Sequence, residues 1–190
     1  DVPVTDLKSF IAYVKARPGR VNYASAGNAS AGHLAIEALK LRTGMFITHI
    51  PYRGTGPALT DVLAGRIEFF SAGTPALLPH IKSGALRCIA VGSSKRISVL
   101  PDVPSVSELY PGFETVQWYG MHARAGTPPD IIARLQQECA KAVRSPDVLA
   151  KFEAESATAE GTTPKEYAEF IQKEQQRWKE VVIKAGIRAN

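Results

Sequence analysis

The 190 residues are 45% hydrophobic and 22% charged, the makeup of one globular domain or two small lobes. No run nears the ~18 apolar residues that span a bilayer, and Asp1-Val2-Pro3-Val4 has neither the basic start nor the apolar core of a signal peptide, so the chain reads as cytosolic, already processed, or cut from something longer. The net charge of +5 sits in the first half: residues 1–92 hold 10 Lys/Arg against 5 Asp/Glu, and residues 93–190 hold 13 of each. That excess suits an anionic ligand or a merely solvated surface, and its scatter, with no recognised binding motif, argues against nucleic acid.

Residues 5–17 are predicted as a helix capped by Thr5, with Leu7, Phe10, Ile11 and Val14 on one face and Pro18-Gly19 as its stop. A cap this early leaves no opening strand, which favours a piece of a longer protein. Residues 21–25 form a strand, Ala26-Gly27-Asn28-Ala29 a turn of small residues, and Ser30 caps a helix that runs to about Thr43 and closes at Gly44. Residues 46–52 are a second strand and Arg53-Gly54-Thr55-Gly56 a second turn, after which Pro57 opens a helix over 57–64 that Gly65 closes. A third strand over 66–71 meets Ala72-Gly73-Thr74-Pro75 and a helix ending at Ser83-Gly84, and 86–91 reads as a fourth strand. Alternation of helices with near-continuously apolar strands predicts an α/β fold whose parallel sheet is covered on both faces.

From Ser93 to Pro111 the chain turns polar and proline-rich and reads as a connection. Residues 115–123, with Trp118 and Tyr119, are predicted as a strand. Thr127-Pro128-Pro129-Asp130 opens a helix with a buried stripe of Ile131, Ile132, Leu135, Cys139 and Val143. A shorter helix starts near Pro146, and the capping box Thr163-Pro164-Lys165-Glu166 opens the last, striped by Tyr167, Phe170, Ile171, Trp178, Val181 and Val182. This half has helices but little sheet for them to cover.

One junction recurs three times, a strand running through a glycine-containing turn into a helix. In a parallel sheet such turns share the edge beyond the carboxyl ends of the strands. Each helix start exposes unpaired N–H groups and the positive end of a dipole, so several together suit an anion. Ser25, Ser30 and Thr55 add hydroxyls, and Arg53 either pairs with a carboxylate or phosphate or raises the local potential. His33, one turn into its helix, either reaches the ligand or is a packed or solvent-facing histidine; Tyr52, just before the second turn, either touches the ligand or packs; Trp118 reads as core, with the cleft as its alternative.

Catalytic and nucleotide signatures are missing. The chain has no G-x-x-x-x-G-K-[ST], no G-x-G-x-x-G, no G-x-S-x-G and no H-E-x-x-H. His49 and His80 read as structural, and no general base stands beside a nucleophile. Neither a cofactor nor a metal is expected. Cys88 and Cys139 lack metal or C-x-x-C spacing and read as free and buried, with a disulfide possible in an oxidising compartment.

Tyr23-Ala24-Ser25-Ala26-Gly27-Asn28 with Gly32-His33-Leu34, His49-Ile50-Pro51-Tyr52-Arg53-Gly54, Asp61-Val62-Leu63-Ala64-Gly65-Arg66-Ile67 and Leu78-Pro79-His80-Ile81-Lys82-Ser83-Gly84 resemble the Bug family, the periplasmic substrate-binding proteins of tripartite tricarboxylate transport systems. Leu100-Pro101-Asp102-Val103-Pro104-Ser105 and Ala125-Gly126-Thr127-Pro128-Pro129 extend the resemblance along essentially the whole chain. It implies a periplasmic-binding-protein type II-like α/β fold, a Venus flytrap of two lobes. Residues 1–92 would be the near-complete ligand-binding lobe (the family's domain 2), 93–113 the interlobe connection, and 114–190 the C-terminal part of domain 1. The family's opening segment, with the signal peptide, the first strands of domain 1 and a Pro/Gly-rich loop, would be absent.

The resemblance further implies a periplasmic, non-enzymatic protein that captures a small carboxylate and passes it to a membrane permease. The candidate ligand set is Ser25, Ala26, Gly27, Asn28, Ser30, His33, Tyr52, Arg53, Gly54, Thr55 and Ala72. Some family members carry an aspartate and then an asparagine in the third turn; Ala72 and Gly73 stand here, which favours plain carboxylates over amino acids. Apolar stripes on the late helices, without their strands, lead to an expected homodimer or strand exchange. The competing readings are the ligand-sensing module of a transcription regulator and an enzyme acting on a small anionic substrate.

Overall fold

The computed structural model describes residues 2–188 of the chain. Helix α1 (Leu7–Lys15) is capped by Asp6, whose carboxylate accepts the Ser9 N–H at 2.7 Å while the Ser9 hydroxyl accepts the Asp6 N–H at 3.0 Å. The expected cap, Thr5, stands one residue outside, because a carboxylate answers the positive helix end better than a hydroxyl. Leu7, Phe10, Ile11 and Val14 are buried as their spacing requires, each contributing roughly 1.5–3 kcal/mol.

Strand β1 (Asn22–Ser25) leads to α2 (Ala31–Thr43), which Ser30 caps and Gly44 closes in the left-handed region at φ 68°. Strand β2 (Thr48–Pro51) is followed by α3 (Thr55–Leu63), which starts two residues before the expected Pro57. Pro57 thus sits at the third helical position, where the missing N–H costs no intrahelical bond. Strand β3 (Phe69–Phe70) and α4 (Thr74–Lys82) follow.

The three strands form one parallel sheet in the order β2-β1-β3, with Tyr23 opposite both His49 and Phe69. The chain steps from β1 to one neighbour and then crosses to the other side. Such a reversal is a topological switch point, where α/β sheets form their ligand crevices.

The expected fourth strand is reduced to an isolated parallel bridge between Val91 and Ser105. Ile89 and Ala90 still pack on the core, so the apolar run specified burial but not a ladder. Residues 93–113 are a built segment. The buried Ser105 hydroxyl donates to the Ser93 carbonyl, a short 3-10 turn (Val106–Glu108) follows, and Arg96 pairs with both Glu108 carboxylate oxygens at 2.8 and 2.9 Å.

The chain divides into two compact units. One holds the residues up to Gln117 together with those from Trp178 on, and the other runs from Trp118 to Arg177. The apolar core (Phe10, Val14, Val21, Tyr23, Leu39 and Ile47 among others) lies wholly in the first. The second holds α5 (Pro129–Ala142), α6 (Pro146–Ala154) and the first part of α7 (Pro164–Lys184). Pro128, not Thr127, precedes α5; the Thr127 hydroxyl donates back to the Arg124 carbonyl at 2.8 Å and is spent there. Thr163 and Glu166 form the expected capping box.

Residues 115–123 form no strand. The Thr115 N–H reaches the Gly92 carbonyl at 2.7 Å, but 116–123 are exposed without a neighbouring strand among the described residues. The expected buried stripe of α5 is likewise uncovered, with Ile131 and Leu135 46% and 45% exposed. Helical spacing marked the apolar face correctly; burial needs a partner surface. No helix among the described residues is long and apolar enough to cross a membrane. Cys88 and Cys139 are free and half-buried.

Gly32, in the first turn of α2, packs on the end of β3. A Cβ there would lie 1.9 Å from the Ser71 carbonyl oxygen and 2.7 Å from its carbon, both backbone atoms. Gly32→Ala is expected to destabilise the fold by about 2–3 kcal/mol, read from the urea midpoint. An unchanged midpoint would show that α2 does not seat on β3 in this way.

Candidate functional site

Three turns meet at the carboxyl edge of the sheet, each continuing one strand. The Tyr52 N–H donates to the Ser25 carbonyl at 3.1 Å, the Gly54 N–H to Ala26 at 3.1 Å, and the Ser71 N–H to Ala24 at 3.3 Å. Gly27 holds φ 133°, a conformation L side chains rarely adopt, and a Cβ on it would come within 3.1 Å of the Tyr52 carbonyl. Glycine there lets the first two turns close onto each other.

The helix starts differ in how far their N–H groups are already used. Ser30 accepts the His33 N–H at 3.4 Å at the start of α2. α3 and α4 begin at Gly54 and Gly73 with no side-chain cap. Neither N-cap glycine has a side chain to cap the first-turn donors, and both dipoles add positive potential at the edge. Arg53 is exposed and makes no ion pair among the described residues.

The other candidates divide by accessibility. Ala26, Gly27, Ser30, Gly54, Thr55 and Ala72 are half-buried along the edge, and Asn28 is exposed. Tyr52 is half-buried and donates its hydroxyl to Asp61 at 2.8 Å; Arg66 holds the other Asp61 oxygen at 2.6 Å. The bond to Asp61 raises the pKa of the Tyr52 phenol, and the same bond lowers that of the Asp61 carboxyl. The ring of Tyr52 is thereby fixed at the mouth of the second turn. Ser25 is fully buried. Its hydroxyl accepts the Gly27 N–H at 3.1 Å, lies 3.0 Å from the Gly27 carbonyl, and lies 2.6 Å from His49 Nε2.

The last contact corrects one expectation, since an imidazole does stand beside a serine. Ser25 is 0% exposed, and burial, first among the causes, lowers His49 to about 4, a weak base at neutral pH. This pair braces the first turn and does not present a nucleophile. His33 is buried as well. Its Nδ1 accepts the Ala29 N–H at 3.0 Å and its ring stacks on His49 with centroids 3.8 Å apart. Beneath them Tyr23 donates to Glu37 at 3.0 Å, and Lys40 reaches the same oxygen at 2.7 Å. Burial raises the Tyr23 phenol and lowers His33.

Sequence reasoning missed Glu37 and Lys40 as partners of this cluster, although Glu37 lies one helical turn beyond His33. It also missed Gln117, whose side chain covers the third turn so closely that a Cβ on Gly73 would lie 2.4 Å from its oxygen. No local pattern links residues so distant in sequence. Among the described residues no three His, Cys, Asp or Glu side chains gather as a metal site.

Residues 1–187 match the family described as tripartite tricarboxylate transporter family receptor. BugT of Bordetella pertussis is 42% identical over 181 residues, covering 95% of this chain and 56% of that protein. An R. palustris protein solved with adipate superposes with a TM-score of 0.93 at 33% identity, over 98% of this chain and 63% of that one. MatC from Rhodopseudomonas palustris, solved with bound malate, superposes with a TM-score of 0.87 at 30% identity, over 95% of this chain and 63% of that one. The fold is that of these binding proteins, and the chain spans little more than half the length of its curated relative.

Buried His33 and half-buried His49 make folding pH-dependent. An unfolded chain takes up their protons near pH ~6.5, the ordinary histidine value; the folded chain holds His49 neutral to about 4 and His33 below its ordinary value. Stability is therefore full above the unfolded pKa and is lost as pH falls toward the folded one. The expected loss is about 1–2 kcal/mol, below the full linkage value because the rings retain some solvent screening. Urea unfolding at neutral and mildly acid pH measures it. His49→Gln, which keeps a partner for Ser25, should show a smaller drop; an equal drop would remove His49 as its source.

Proposed function

Because the chain belongs to the tripartite tricarboxylate transporter receptor family, we propose that it is the ligand-gripping part of a periplasmic solute-binding protein that captures a small carboxylate without turning it over and delivers it to a membrane permease of that transporter type. The observation that carries this reading is the convergence of three strand-end turns on one sheet edge, with α3 and α4 starting there uncapped by side chains. Backbone amides and two dipole ends suit a carboxylate without a dedicated side chain for each oxygen. Arg53 supplies an exposed charge beside them.

In this reading residues 1–92 are the ligand-binding lobe, 93–113 its connection and 114–190 part of the other lobe. Ala26, Gly27, Asn28, Ser30, Gly54, Thr55 and Ala72 line the ligand, Tyr52 forms a wall, and Ser25 and His33 act from beneath. The third turn offers Ala72 and Gly73 where an ammonium group would want a carboxylate, so plain carboxylates are favoured; adipate and malate, in the two neighbouring structures, are of that kind. Calorimetry with malate, adipate, succinate, citrate, glutamate and benzoate tests the reading, with the acid recovered unchanged. Arg53→Ala should weaken binding about threefold to thirtyfold, the worth of one charge-assisted hydrogen bond in partial contact with solvent. Gly27→Val should weaken it more, by strain and blockage. Binding of no acid would sink the reading.

The uncovered faces bear on the partner of this chain. Ile131, Leu135 and Phe170 are 46%, 45% and 38% exposed on α5 and α7, and contiguous apolar surface drives association. A second copy of the chain is the occupant we expect. Light scattering should report a dimer whose population falls with Leu135→Glu; a monomer at every concentration would refute it.

A further inference from the structure

The first turn holds an L-residue in a conformation it resists. Ala29 has φ 59°, in the left-handed region. Two bonds frame that conformation: the Ser30 N–H donates to the Gly27 carbonyl at 3.2 Å, and the Ala29 N–H donates to His33 Nδ1 at 3.0 Å. The second bond sets the chemistry of the ring. An Nδ1 that accepts carries no proton, so His33 is neutral with its hydrogen on Nε2, which lies 3.8 Å from the nearest Glu37 oxygen.

Resting on the carboxylate-binding reading above, we propose that His33 is a positioning residue for the ligand: its unprotonated Nδ1 holds Ala29 left-handed and so aims the amides of the first turn, and protonation of the stacked His33–His49 pair releases that turn and lowers affinity.

Adding a proton to His33 would set an N–H against the Ala29 N–H and turn an accepted bond into a repulsion. It would also place a cation against His49, whose ring is 3.8 Å away and tilted by only 19°. The second ring joins the same device. His49 Nε2 meets the Ser25 hydroxyl at 2.6 Å, and that hydroxyl accepts the Gly27 N–H, so both histidines grip the first turn, one at each end.

The titratable groups facing the pair are Tyr23 from β1 and Glu37 and Lys40 from α2 itself, with the rings facing each other across α2 and β2. Glu37 favours the protonated form, but its carboxylate is already shared with Lys40 at 2.7 Å and with the Tyr23 hydroxyl at 3.0 Å. Burial outweighs it and lowers both histidines. The pair is neutral at neutral pH, and the release falls on the acid side.

Two measurements on the whole chain test this. Long-range proton–nitrogen correlation of the imidazoles should show His33 with an unprotonated Nδ1 at neutral pH, and the Ala29 amide shift should follow the His33 titration. An Nδ1-protonated His33, or an Ala29 amide blind to that titration, would overturn the proposal. Calorimetry with malate and adipate between about pH 4 and about pH 8 then compares variants. His33→Asn places a carbonyl oxygen where Nδ1 stands; it should keep more affinity at neutral pH than His33→Leu and lose the part of the acid-side decline that the parent shows beyond ionisation of the acid itself. His33→Leu keeps bulk without an acceptor and should lose roughly tenfold at neutral pH. Equal pH profiles for the parent and His33→Asn, or full affinity in a folded His33→Leu, would overturn it. Should His33→Leu fail to fold, the His33→Asn profile decides. Should the parent bind none of the six acids named above, the carboxylate reading fails, and the nitrogen correlation alone decides whether His33 holds the turn; should it bind another of them, that acid replaces malate and adipate in the comparison.

Discussion

The structure depends on the parallel pairing of β1 with a neighbour on each side. Once Tyr23 pairs with His49 and with Phe69, strand direction sends all three strand-to-helix turns to the same edge. The proposed ligand site follows from that placement: the shared amides, the uncapped helix starts and the exposed Arg53. An antiparallel partner in either position would have carried one turn to the opposite end and broken the cluster.

The edge is held from below by a buried polar network. Tyr23, His33, Glu37, Lys40 and His49 bond or stack in sequence, and no described buried side-chain nitrogen or oxygen lacks a partner. Such a network is costly when half satisfied and rigid when complete. Here it supports a turn that contains a left-handed alanine and a glycine at φ 133°, conformations that need external support to persist. The same network accounts for the buried serine beside a histidine. That geometry resembles a nucleophile and its base, but full burial and a suppressed imidazole pKa suit bracing and not attack.

The two units contrast in how their apolar residues are used. In the first, α1 and α2 and the sheet enclose a continuous core, with Tyr23, Val14 and Ile47 at 0% exposure. In the second, α5, α6 and the start of α7 carry well-formed apolar stripes, yet Ala140 is the single buried residue among those described there. Amphipathic periodicity makes a helix ready to pack and says nothing about what it packs on.

Local signals determined much of this protein. The capping residues Ser30 and Thr163, the stop at Gly44, the buried face of α1 and the three strand–turn–helix junctions are all legible in the sequence, because each depends on residues within a turn or two of one another. The family resemblance, carried by blocks such as Tyr23–Asn28 and His49–Gly54, gave the fold and its orientation toward carboxylates. Tertiary structure decided the rest. It reduced the fourth strand to one bridge and left residues 115–123 outside any ladder among the described residues, since a strand exists only through a neighbour. It moved Ser25 from the expected edge to beneath it, decided for the packed reading of His33, joined Ser25 to His49 across 24 residues, and laid Gln117 over Gly73. Those outcomes turn on which distant backbone lies within about 3 Å, and no spacing along a chain encodes that distance.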